Sequence, residues 1–137
     1  MPKPIFKDND LTSLIKDNIN LIKELDENII INFDANTNEI ILNSDNEQLS
    51  RVFFNMIKNS IESIQEKRLN NTHLKGNIEI TLNDNLSHID FIIVDNGLGF
   101  GTFRDNIKNL LNPYFTTKEK GTGLGLAIVN KILNDHN

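Results

Sequence analysis

Apolar residues recur every three or four positions from Leu11 onward. Leu11, Leu14, Ile15, Asn18, Leu21, Ile22 and Leu25 share one face of a helix over about 11–25, and Asn9 or Asp10 can cap it. Residues 1–10, with Pro2 and Pro4, read as an extended lead-in. Ile29–Phe33 and Ile40–Leu42 are short strand patterns, with a turn at 36–38 between them. The strongest period spans about 46–66, where Leu49, Val52, Phe53, Met56, Ile57, Ser60, Ile61 and Ile64 form a broad helical stripe. Ile78, Ile80 and Leu82 alternate with Glu79 and Thr81, as in a half-buried strand. Residues 89–94 read as a more buried strand that ends at Asp95. A short helix is predicted to hold Phe103, Ile107, Leu110 and Leu111, stopping before Pro113. A last helix begins near Leu124, with Ile128, Val129, Ile132 and Leu133 on its packing face. The order α, β, β, α, β, β, α, α implies an α+β fold: a two-layer sandwich of one sheet with helices on one face.

At 137 residues and 38% hydrophobic, the chain suits one domain that buries roughly two-thirds of its unfolded surface. A net charge of −5 argues against a nucleic-acid partner, because a phosphate backbone needs a basic face. The absence of cysteine excludes disulfides, a thiolate nucleophile and zinc–thiolate sites. No apolar run is long enough to span a bilayer, and Met1–Pro4 opens no signal peptide. The expectation is a soluble protein of a reducing compartment, cytoplasmic or the cytoplasmic part of a membrane-anchored parent.

Two glycine-rich runs carry chemistry. Asp95-Asn96-Gly97-Leu98-Gly99-Phe100-Gly101 follows a strand, and Gly121-Thr122-Gly123-Leu124-Gly125-Leu126 precedes a helix. Neither completes the Walker or dinucleotide glycine pattern. Glycines at the mouth of a helix let backbone N–H groups approach an anion, so the second run suits phosphate. A carboxylate at a strand end, such as Asp95, can accept a hydrogen bond from a flat base edge. Taken singly, each run is also what a glycine-rich turn looks like. On the long helix, Asn55 and Asn59 are four apart, and Glu62 falls in line with them. A carboxamide oxygen is a neutral, hard ligand suited to Mg²⁺ whose other ligands are water and phosphate.

Together these residues resemble a known set. Asn55-Met56-Ile57-Lys58-Asn59-Ser60-Ile61-Glu62 resembles the N box of sensor histidine kinases. Asp95-Asn96-Gly97-Leu98-Gly99 resembles their G1 box, Tyr114-Phe115-Thr116-Thr117-Lys118 the F box, and Gly121–Leu126 the G2 box. Their order matches the GHKL superfamily with its Bergerat ATP-binding fold, a mixed sheet with helices on one face. The wording Pro-Tyr-Phe-Thr-Thr-Lys is most similar to kinases of the nitrogen-regulation type. The resemblance implies Asn59 as the main Mg²⁺ ligand, with Asn55 beside metal-bound water or phosphate. It implies Asp95 at the adenine amino group, and Gly97 and Gly99 making room for the base. Lys118 would reach the terminal phosphates, and Gly121, Thr122, Gly123, Leu124 and Gly125 would hold the triphosphate. Phe115 would pack the lid. Arg51 and Lys58 fit either a phosphate neighbourhood or a solvated face, and Glu62 either catalysis or a surface charge.

Superfamily ATPases resemble one another in a glutamate four residues before the metal asparagine. Asn55 stands there instead, and an amide cannot take a proton at neutral pH. The acceptor should then already be a nucleophile, as a neutral imidazole is. None of His73, His88 and His136 lies in the family's acceptor setting, so all three read as surface histidines. The resemblance therefore implies an ATP-dependent protein-histidine kinase domain whose acceptor histidine lies on a separate dimerisation domain. A response regulator would act downstream. The alternatives are an inactive remnant that docks on a kinase or regulator, and a stand-alone GHKL ATPase. In domain terms, 1–10 is expected to lead in from a dimerisation region and 11–137 to form the catalytic domain. The family continues past the G2 helix with two more strands where this sequence stops, so the last strands are expected to be lacking.

Overall fold

Asp10 ends one element and starts the next. Its carboxylate accepts hydrogen bonds from the Thr12 N–H at 3.0 Å, the Thr12 hydroxyl at 2.8 Å and the Ile40 N–H at 3.0 Å. Burial pushes this carboxyl up, but the bonds from Ile40, Thr12 and Ser13 outweigh it and hold the group below its ordinary 3.8. The first contacts cap helix α1, Leu11–Ile22, which a single 3₁₀ turn, Lys23–Leu25, prolongs. The Ile40 contact ties strand β1, Lys7–Asp10, to the chain that becomes β3, Ile41–Ser44. These two strands pair antiparallel as a separate two-stranded ribbon.

The computed structural model describes residues 5–86 and 89–97, and the backbone of 102–106. Its main sheet runs β2 (Ile29–Ala35), β4 (Gly76–Asp84), β5 (Ile89–Asp95), β6 (Thr102–Asn106), in that spatial order. The β2–β4 pair is parallel and the others antiparallel, so the sheet is mixed. Helix α2, Asn46–Arg68, stands in sequence between β3 and β4. Asp45 caps it by accepting from the Gln48 N–H at 3.0 Å, and Lys67 and Arg68 complement its C-terminal dipole.

One face of the sheet meets the helices. Ile78, Ile80 and Leu82 of β4 and Phe91 and Ile93 of β5 are buried with Phe53, Ile57, Ile61 and Ile64 of α2. The rings of Phe53 and Phe91 stack tilted, 5.3 Å apart. On the opposite face, exposed Asn32 donates to Glu79 at 3.0 Å. Arg68, at the end of α2, fastens the loop before β2: it pairs with Asp26 at 2.6 Å and donates to the Asn28 carbonyl at 3.1 Å.

The α+β sandwich with a mixed sheet and helices on one face is thus as expected, and the α2 stripe is buried at every position named. Four details differ. The lead-in contributes β1, because the backbone of Ile41–Ser44 offers it partners. Phe103 lies in strand β6 rather than a short helix, because the free edge of β5 recruits Thr102–Asn106. On α1 and the 3₁₀ turn that follows, Ile19 is buried while Leu21 and Leu25 are 68% and 64% exposed. Strand β5 is buried on one face alone: Phe91 and Ile93 point inward and Val94 outward. The expected helix from Leu124 lies outside the described residues.

Candidate functional site

The inward-facing set of β5 is Phe91, Ile93 and Asp95, at the period of two that a strand imposes. Asp95 sits opposite Ile78 in the sheet, so its carboxylate is on the helix side, half-buried at the rim of an apolar layer. A carboxylate at such a place needs polar company. The Gly97 N–H donates to its Oδ1 at 2.8 Å, turning the chain sharply after the strand.

That turn rests on α2. A β-carbon on Gly97 would lie 2.5 Å from the Ser63 carbonyl carbon, 2.5 Å from its Oγ and 2.6 Å from the Ile64 nitrogen. Glycine is required here because backbone meets backbone. The room expected at Gly97 for a base is therefore taken up, on the side of its missing side chain, by α2.

Ser63 is one helical turn beyond Asn59 and two beyond Asn55, or about 6 Å and 12 Å along the axis. Both asparagines are half-buried at the border of the apolar stripe. Neither side chain makes a hydrogen bond among the described residues. The neutral, hard oxygens of that pair fit magnesium carried in on phosphate. Glu62 is half-buried beside them, whereas Arg51 and Lys58 are exposed. His73 is exposed too, as a surface histidine should be.

The structure thus seats Gly97, which bonds Asp95, on the helix that carries Asn59 one turn away and Asn55 two turns away. Gly99, Lys118, Gly121, Thr122, Gly123, Leu124 and Gly125 lie outside the described residues, as do His88 and His136. Sequence reasoning passed over Asn96, Ser63 and Lys67, which hold the loop in place. The only signal for them was an asparagine between the carboxylate and the glycine, a side chain that can donate and accept at once.

A carboxylate at a strand end, a glycine turn seated on a long helix, and paired carboxamides along that helix make up the candidate nucleotide site. The chain belongs to the family of histidine kinase-, DNA gyrase B- and HSP90-like ATPases, whose model matches residues 44–137. It is 33% identical over 136 residues to an NtrY-like protein of Rickettsia felis, covering 99% of this chain and 21% of that protein. It is also 33% identical over 137 residues to the nitrogen regulation protein NtrY of Azorhizobium caulinodans, covering 99% of this chain and 17% of that protein. The chain spans about a fifth of the length of such curated relatives. Among solved structures, the catalytic domain of histidine kinase ThkA superposes with a TM-score of 0.68 at 28% identity, covering 96% of this chain and 82% of that one. The same kinase in complex with the response regulator protein TrrA gives 0.66 at 25% identity, covering 96% and 35%.

Proposed function

We propose that this chain is the ATP-binding catalytic domain of a sensor histidine kinase of the nitrogen-regulation type. It would pass the γ-phosphoryl of ATP to a histidine on a dimerisation domain that lies elsewhere in the parent protein or on a partner. The observation that carries the reading is the seating of Asp95–Gly97 on α2 one turn from Asn59. One substrate molecule can then meet a base-reading carboxylate at one end and carboxamide oxygens at the other.

Each residue has a distinct task. Asp95 accepts a hydrogen bond from the adenine amino group and disfavours guanine, which presents a carbonyl there. Asn59 holds the metal through its carboxamide oxygen, with Asn55 one turn away toward the phosphates or metal-bound water. A bound magnesium ion supplies the positive charge that offsets the triphosphate. Lys118 would add a second cation there, and the backbone at Gly121, Thr122, Gly123, Leu124 and Gly125 would cradle the phosphates. Asn55 takes no proton, so the domain suits an acceptor that is already nucleophilic. Phosphoryl transfer asks mainly for positioning and charge stabilisation, and this set supplies both. The family likeness and the ThkA complex support a response regulator as the downstream partner. No described helix is long and apolar enough to cross a membrane, and a cytoplasmic location fits the proposed use of ATP.

Calorimetric titration of ATP with Mg²⁺ into the wild type and Asp95→Asn tests the first half. The wild type should bind and the variant should lose most of its affinity; equal affinities would refute the reading. Adding a separately produced dimerisation domain from an NtrY relative, with labelled ATP, tests the second half, and label should appear on its histidine. Rapid phosphate release without any acceptor would favour a stand-alone ATPase instead.

A further inference from the structure

Asp95 can read a base only if the chain beside it is held in place, and its neighbour Asn96 fastens that chain. Asn96 extends the sheet by one rung. Its N–H donates to the Asn77 carbonyl at 3.2 Å. Its side-chain Oδ1 accepts from the Asn77 N–H at 2.8 Å, and its Nδ2 donates to the Lys75 carbonyl at 2.9 Å. One carboxamide thus clasps both sides of Gly76. Gly76 is itself closely packed: a β-carbon there would lie 2.6 Å from Ile29 Cγ1 and 2.9 Å from Ile64 Cγ2. The start of β4 is therefore tightly packed, and Asn96 fastens the loop to it.

The second tie comes from α2. Lys67 Nζ donates to the Asn96 carbonyl at 3.2 Å. Asn59, Ser63 and Lys67 follow one another at intervals of four, so they lie along one stripe of the helix. The stripe carries the candidate metal ligand, then the seat of Gly97, then the tether to Asn96. The base end and the phosphate end of the site are referenced to the same rigid helix.

Resting on the ATP reading above, we propose that Asn96 and Lys67 are positioning residues that set the register of Asp95 against α2 and thereby the preference for adenine over guanine. Asparagine is specifically required at position 96. Aspartate has the same size but cannot donate to the Lys75 carbonyl, and it would place like partial charges 2.9 Å apart.

The test titrates ATP and GTP, each with Mg²⁺, into the full chain as wild type, Asn96→Asp, Lys67→Met and Lys67→Arg, with circular dichroism to confirm folding. Asn96→Asp should weaken ATP binding about tenfold and narrow the ATP-over-GTP ratio by a similar factor. Lys67→Met should narrow the ratio about threefold, and Lys67→Arg should restore it. A merely structural role would lower the melting temperature and leave the ratio of the folded variants unchanged, and that result would overturn the proposal. If Asn96→Asp does not fold, Lys67→Met decides the matter, since among the described residues the Lys67 ammonium bonds only the Asn96 carbonyl. A wild type that binds neither nucleotide would instead overturn the ATP reading itself, and this proposal with it.

Discussion

Replacing Gly97 with alanine is the sharpest perturbation the structure offers. The new β-carbon would start 2.5 Å from the Ser63 carbonyl carbon and must reach the 3.4 Å of ordinary contact, a retreat of about 0.9 Å. Two of its three neighbours are backbone atoms of a 23-residue helix, which cannot yield, so the loop must move. Overpacking of this kind costs about 1–3 kcal/mol. For a domain of this size that lowers the melting temperature by about 3–10 °C. The same retreat drags the N–H that now holds Asp95 Oδ1 at 2.8 Å, so ATP affinity should fall about tenfold or more in the protein that remains folded. Thermal melts and calorimetry on Gly97→Ala measure both effects. A second variant isolates the cause. Ser63→Gly removes the Oγ contact but leaves the backbone carbon and the Ile64 nitrogen, so Gly97→Ala with Ser63→Gly should remain impaired. Full rescue by Ser63→Gly, or wild-type melting and binding in Gly97→Ala alone, would refute the argument that backbone packing demands this glycine.

Asn59→Ala should leave the unfolding free energy within about 1 kcal/mol of the wild type, because its carboxamide bonds nothing among the described residues, yet abolish the magnesium dependence of ATP binding. Titrations with and without EDTA check this. At Asp26, burial pushes the carboxyl up, but bonds from Arg68, Asn28 and Gln65 and the charge of the guanidinium outweigh it, holding the group below 3.8. Its stabilisation is therefore complete above that value and is lost as pH falls through the lower folded value. Asp26→Asn should cost about 1–3 kcal/mol at pH 7, and its gap from the wild type should close below about pH 4. Urea unfolding across that range would contradict this if the gap stayed constant. Asp10→Ala removes the cap of α1 and the tie to Ile40 together, so it should destabilise by about 1–2 kcal/mol or more in the same assay.

Much of the architecture was readable along the chain because burial repeats at a fixed period. Leu49 to Ile64 return at the helical interval and Ile78, Ile80 and Leu82 at the strand interval, and each faces the core. Strands β1 and β6 were not readable. Lys7–Asp10 has no apolar alternation, and its hydrogen bonds come from residues more than thirty positions away. Phe103 has helical spacing to Ile107, but the unpaired edge of β5 competes for the same backbone and wins. Strand pairing is non-local, and local pattern carries no information about which edge will be open.

The site divides the same way. The residue types that can read a base or hold a hard cation, Asp95 and the pair Asn55 and Asn59, were visible because their chemistry is intrinsic and their spacing local. That Asp95 faces the helices, that Gly97 is pressed onto Ser63, and that Asn96 and Lys67 lock the turn were settled only when α2 crossed the end of β5. Those contacts join segments about thirty residues apart in the chain, and only packing brings them within bonding distance.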